Sequence, residues 1–74
     1  MALYEVKAEI SGVVRALDAA VGDLVDLDGQ VMTIESMKME IPVLSPRRGR
    51  IVAFRAAEGD SVQEGQVLVT LELG

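Results

Sequence analysis

Apolar residues alternate with polar ones in short runs along this chain, and Gly-Asp, Asp-Gly and Glu-Gly pairs separate the runs. Alternation with period two places side chains on opposite faces of an extended strand, and such turn pairs end strands. No stretch keeps a 3.6-residue apolar period over three turns; the nearest, Val14–Val25, is interrupted by Gly22. The pattern predicts eight short strands. Tyr4–Ala8, Gly12–Leu17, Leu24–Val25 and Val31–Glu35 make the first half; Met39–Val43, Gly49–Phe54, Ser61–Val62 and Val67–Glu72 make the second. An all-β sandwich or barrel is the expected class.

The two halves match under a fixed shift of 37 residues, without gaps. Val6 falls on Val43, Gly12 on Gly49, Gly22-Asp23 on Gly59-Asp60, Val25 on Val62, Thr33 on Thr70 and Glu35 on Glu72. Conservative pairs fill the intervals: Val14 with Ile51, Leu17 with Phe54, Val31 with Leu68, Ile34 with Leu71. Two units are too few for a solenoid. A single two-fold β-domain over residues 1–74, with each half feeding both sheets, is expected instead. Turns or bulges are expected at Gly12/Gly49 and Gly22/Gly59. The shift maps Lys38 onto residue 1, so the Lys38 hairpin and the paired termini should occupy opposite ends.

Composition narrows the function. The 74 residues suffice for one small domain. There is no Cys and no His, which removes disulfides, the commonest metal ligand and any Ser-His or Cys-His pair. A self-contained enzyme and a metal site are not expected. A net charge of −5 argues against nucleic acid as the main partner. With no long apolar span and no secretory pattern at the start, a soluble cytoplasmic domain is the expectation.

Candidate chemistry centres on Glu35-Ser36-Met37-Lys38-Met39-Glu40. Lys38 sits at the tip of an expected hairpin, where Asn-Gly or Asp-Gly would be the favoured turn. A turn built of Met37-Lys38 breaks a local rule, as functional sites do. A lysine there projects from the body on a flexible stem, and two methionines beside it make a soft apolar contact surface. On position alone, an ordinary solvated lysine flanked by packing methionines is the competing explanation.

The stretch resembles the biotin attachment motif of the biotin carboxyl carrier family, in which Met-Lys-Met follows a small residue. Met37, Lys38 and Met39 match in place; Ser36 stands where alanine is more usual. The resemblance extends over nearly the whole chain through Gly22-Asp23-Leu24-Val25 and Gly59-Asp60-Ser61-Val62, which flank the hairpin two-fold. It implies a flattened β-barrel of two four-stranded sheets, the barrel-sandwich hybrid of biotinyl and lipoyl carriers. It further implies that a biotin protein ligase joins biotin to Lys38 through an amide. A biotin carboxylase would then load the carboxyl group, and a carboxyltransferase would pass it to an acyl-CoA such as acetyl-CoA. The domain itself would be a non-catalytic carrier. Glu35, Ser36 and Glu40 are candidates for ligase or partner recognition.

The chain departs from the family pattern at Ala8-Glu9, where Ala-Pro is common; Ser45-Pro46 is nearer to it in the second half. Only Asp18–Gly22 lies between Leu17 and Asp23, which leaves no room for a protruding thumb loop. A short single-domain biotin/lipoyl attachment protein, free-standing or excised, is therefore expected. Lipoate is the alternative cofactor, as in carriers of 2-oxo acid dehydrogenases, although those usually show Asp-Lys-Ala at the tip. An unmodified β interaction domain is the third reading; it predicts that Lys38→Arg is harmless. Asp23, Asp26, Asp28-Gly29 and Glu35 fail as a calcium loop, because Leu24 stands where an oxygen ligand is needed. Pro46-Arg47-Arg48-Gly49-Arg50 reads as a solvated basic turn.

Overall fold

The computed structural model describes residues 2–74. Eight strands form: β1 (Ala2–Lys7), β2 (Gly12–Leu17), β3 (Leu24–Val25), β4 (Gln30–Ser36), β5 (Met39–Leu44), β6 (Gly49–Phe54), β7 (Ser61–Val62) and β8 (Val67–Leu73). β1 begins two residues before the expected strand, because its ladder with β8 runs on to Ala2 opposite Leu73, and it stops at Lys7. The strands make two antiparallel four-stranded sheets, ordered β1-β8-β6-β3 and β5-β4-β2-β7. Adding 37 to one order reproduces the other, so the halves do not form a sheet each; every sheet takes strands from both.

Backbone hydrogen bonds between the halves come in two-fold pairs. Val14 N–H donates to the Asp60 carbonyl at 2.9 Å and Ile51 N–H to Asp23 at 2.9 Å. Gly22 N–H donates to Ile51 at 2.8 Å and Gly59 N–H to Val14 at 2.8 Å. The core between the sheets is built of inward positions two-fold related: Val14 and Ile51, Val25 and Val62, Val31 and Leu68, Met32 and Val69, Ile34 and Leu71. Burial of this apolar set is the main stabilising term of so small a domain. One rung tolerates opposite charges. Thr33 Oγ1 donates to Asp18 at 2.7 Å, whereas the two-fold related Thr70 Oγ1 accepts from Arg55 Nε at 3.0 Å. A hydroxyl does either.

The four paired glycines serve two different ends. Gly22 and Gly59 have φ of 96° and 91° and sit in turns, as expected. Gly12 and Gly49 instead open strands, each at a close approach. A Cβ on Gly12 would collide with the Glu35 carbonyl oxygen and lie 2.7 Å from Ile34 Cγ2; one on Gly49 would lie 2.8 Å from Glu72 O. The ladder irregularity lies further along, between Val14 and Ala16 and between Ile51 and Ala53.

The domain measures 36 × 17 × 17 Å. β5 leaves the Lys38 turn and leads through Pro46 to Arg47, whose guanidinium carbon stands 5.5 Å from the centroid of the Tyr4 ring. Tyr4 lies two residues beyond Ala2, which pairs with Leu73. The β1/β8 end is thus separated from the turn by the length of β5, roughly 20 Å at about 3.3 Å per residue. Met1, the two-fold counterpart of Lys38, lies outside the described residues.

Candidate functional site

β4 and β5 form the hairpin that carries Lys38. Their register pairs Ile34 with Ile41, Glu35 with Glu40 and Ser36 with Met39, which leaves Met37 and Lys38 as a two-residue loop. Ile34 is fully buried and anchors the stem in the core. Pro42 lies opposite Thr33 on β5, an edge strand. Proline lacks an N–H and is suited to an edge, where it blunts further pairing.

The turn is strained for its residues. Met37 has φ 53° and Lys38 φ 65°. Positive φ at both central positions is the signature of the type I′ hairpin turn, which favours Asn-Gly. For residues with a Cβ the left-handed region costs roughly 1–2 kcal/mol each. The fold therefore holds a Met-Lys pair where its backbone prefers other residues.

Side chains at the tip face solvent. Met37 is 90% exposed and Met39 61%, against 0% for Met32 in the core. Lys38 is exposed as well, while Ser36 is half-buried at the base of the loop. Among the described residues, no carboxylate lies within ion-pair distance of Lys38. The tip thus offers a primary amine free of the domain body, between two thioether side chains. Such an amine suits acylation by another protein, and the flexible stem lets an attached group move.

Glu35 and Glu40 stand opposite each other one rung below the closing Ser36–Met39 pair. Both are engaged by Arg15 of β2, whose Nε lies 3.4 Å from Glu35 Oε1 and 3.6 Å from Glu40 Oε2. Sequence reasoning missed Arg15. A signal was present in the two-fold match, where Arg15 falls on Val52 between the related pairs Val14/Ile51 and Ala16/Ala53. The basic stretch 46–50 lies away from the tip. Arg47 rests over Tyr4, Arg48 Nε lies 3.4 Å from Asp26 Oδ1, and Arg50 Nη1 donates to the Gly22 carbonyl at 2.7 Å.

Comparison with known proteins extends this picture. The family model described as "Biotin-requiring enzyme", of the biotin/lipoyl type, matches residues 6–71. The biotin/lipoyl attachment protein of Bacillus subtilis is 36% identical over 66 residues, covering 89% of this chain and 90% of that protein. The mitochondrial propionyl-CoA carboxylase alpha chain of Sus scrofa is 38% identical over 61 residues, 82% of this chain but 8% of its own. Among solved structures, Kluyveromyces lactis urea carboxylase superposes with a TM-score of 0.92 at 28% identity, over 97% of this chain and 6% of that one. The lipoyl domain of the 2-oxoglutarate dehydrogenase complex from Azotobacter vinelandii gives 0.72 at 31% identity, over 86% of this chain and 81% of that one. The chain therefore spans most of the small attachment protein and under a tenth of the carboxylases.

Proposed function

We propose, from the premise that this chain belongs to the biotin/lipoyl attachment family, that it is a biotin carboxyl carrier whose biotin is joined to Lys38. The observation that carries the reading is the tip itself: an exposed lysine with φ 65° in a two-residue turn, between Met37 and Met39 that are 90% and 61% exposed. An amide to biotin needs an amine that a ligase can surround, and Lys38 offers one on a narrow projecting hairpin. Biotin supplies the site that takes up and releases a carboxyl group. The chain's own contribution is to hold Lys38 at the end of the barrel, away from the described terminal residues.

The partners of this reading are a biotin protein ligase, a biotin carboxylase and a carboxyltransferase. An acyl-CoA acceptor rests on the likeness to the propionyl-CoA carboxylase chain; the likeness to urea carboxylase would direct the same carrier to another acceptor. Lipoate is the second reading, supported by the likeness to a lipoyl domain. The methionines on both sides of Lys38 weigh for biotin.

Parallel reactions decide between them. The chain is incubated with ATP and either a biotin protein ligase and biotin or a lipoate ligase and lipoate, and kcat/KM is compared. Biotin is expected to be transferred far faster. Preferential lipoylation would replace the biotin reading with the lipoyl one.

A further inference from the structure

Lys38 has two carboxylates within reach and pairs with neither. Glu35 and Glu40 stand three and two residues away, at most about 11 and 7 Å along an extended chain, and a lysine stem is long and flexible. An ammonium beside two carboxylates would ordinarily fold back onto them. In this structure both carboxylates are instead turned to Arg15, at 3.4 and 3.6 Å. A guanidinium presents several donors in a planar fork and competes well with an ammonium for carboxylate oxygens.

The internal two-fold serves as a control on whether the barrel needs this cluster. At the other end the same three positions hold Val52, Glu72 and Leu3, with Leu3 opposite Glu72 in the ladder. The same ladder corner forms there without a facing pair of acids, and Arg50, which lies opposite Glu72, donates to the Gly22 carbonyl at 2.7 Å. Arg15 is also 58% exposed, and its partners 41% and 66%, so the ion pairs add little to stability. Among the described residues, an arginine bridging two facing carboxylates is found only at the end that carries the lysine.

We propose that Arg15 is a positioning residue that sequesters Glu35 and Glu40 from the Lys38 ammonium and thereby keeps this amine free for acylation. Facing carboxylates repel across a ladder, so without Arg15 they would draw in a cation close along the chain, and Lys38 lies two residues from Glu40. An ammonium held against carboxylates is tethered to them and less open to an acylating reagent. The inference deepens the reading of Lys38 as the attachment point and rests on it for its biological meaning. Its chemistry is testable without any ligase.

Lys7 is the one other lysine and lies in the opposite sheet, so it is an internal reference. The experiment is brief acetylation of the intact chain by acetic anhydride, with the Lys38-to-Lys7 labelling ratio read by peptide mass. Arg15→Gln is expected to lower the ratio about two- to five-fold, the span of an exposed ion pair. Arg15→Lys should retain most of it. Arg15→Gln combined with Glu35→Gln and Glu40→Gln should restore it, because nothing remains to capture Lys38. An unchanged ratio in Arg15→Gln, or a loss that the combined variant does not reverse, would overturn the proposal. The same variants are then given to the biotin protein ligase. A wild-type chain that no ligase modifies would sink the attachment reading, while the labelling ratios would still decide the role of Arg15.

Discussion

Val14 hands its backbone N–H to the carbonyl of Asp60, and the bond joins the first half of the chain to the second. Its twin, from Ile51 to Asp23, runs the other way at the same 2.9 Å. Neither half owns a sheet, so neither can bury its apolar face alone. Peptides 1–37 and 38–74 are each expected to lack β-structure by circular dichroism in isolation. A half that folded by itself would contradict the interleaved architecture.

Two glycine substitutions should destabilise for separable reasons. Gly12→Ala drives a Cβ into Glu35 O and Ile34 Cγ2, an overpacking cost of about 1–3 kcal/mol. Gly22→Ala meets no atom within 4 Å but must adopt a φ of 96°, at roughly 1–2 kcal/mol. Asparagine tolerates the left-handed region, so Gly22→Asn should recover part of that loss, whereas Gly12→Asn should be worse than Gly12→Ala. Urea unfolding of the four variants reads the difference. Equal responses at the two sites would refute the distinction.

The tip holds Met37 and Lys38 in backbone conformations that cost stability. Asparagine is favoured at the first position of a type I′ turn, so Met37→Asn should raise stability by about 0.5–1 kcal/mol. For a domain of this size that is a rise in Tm of a few degrees, about 4–8 °C per kcal/mol. The same variant should lower the kcat/KM of ligation, because it deletes an apolar contact beside Lys38. A variant that is more stable and equally well modified would remove Met37 from the recognition surface.

Much of this was legible in the sequence. Period-two runs broken by Gly-Asp placed the eight strands within two residues, since such turns end strands whatever surrounds them. The 37-residue shift disclosed the two-fold, and with it the separation of Lys38 from the termini. Poor turn residues at Met37-Lys38 marked the tip, and the backbone there does lie in the left-handed region. What stayed hidden depended on register. Glu35 and Glu40 face each other only once the β4–β5 pairing is known, and Arg15 reaches both from the irregular step between Val14 and Ala16 in β2. The role of Gly12 was likewise invisible, because it arises from the approach of β4, eighteen or more residues on, and not from a local turn.

Attachment of biotin to Lys38 is read by intact mass with peptide mapping, after coexpression with a biotin protein ligase and biotin. One biotin per chain is expected, located on Lys38, and none on Lys38→Arg, which should fold as the wild type does. An adduct elsewhere, or no adduct of biotin or lipoate under either ligase, would contradict it and leave the Met-Lys-Met tip as a surface for binding protein.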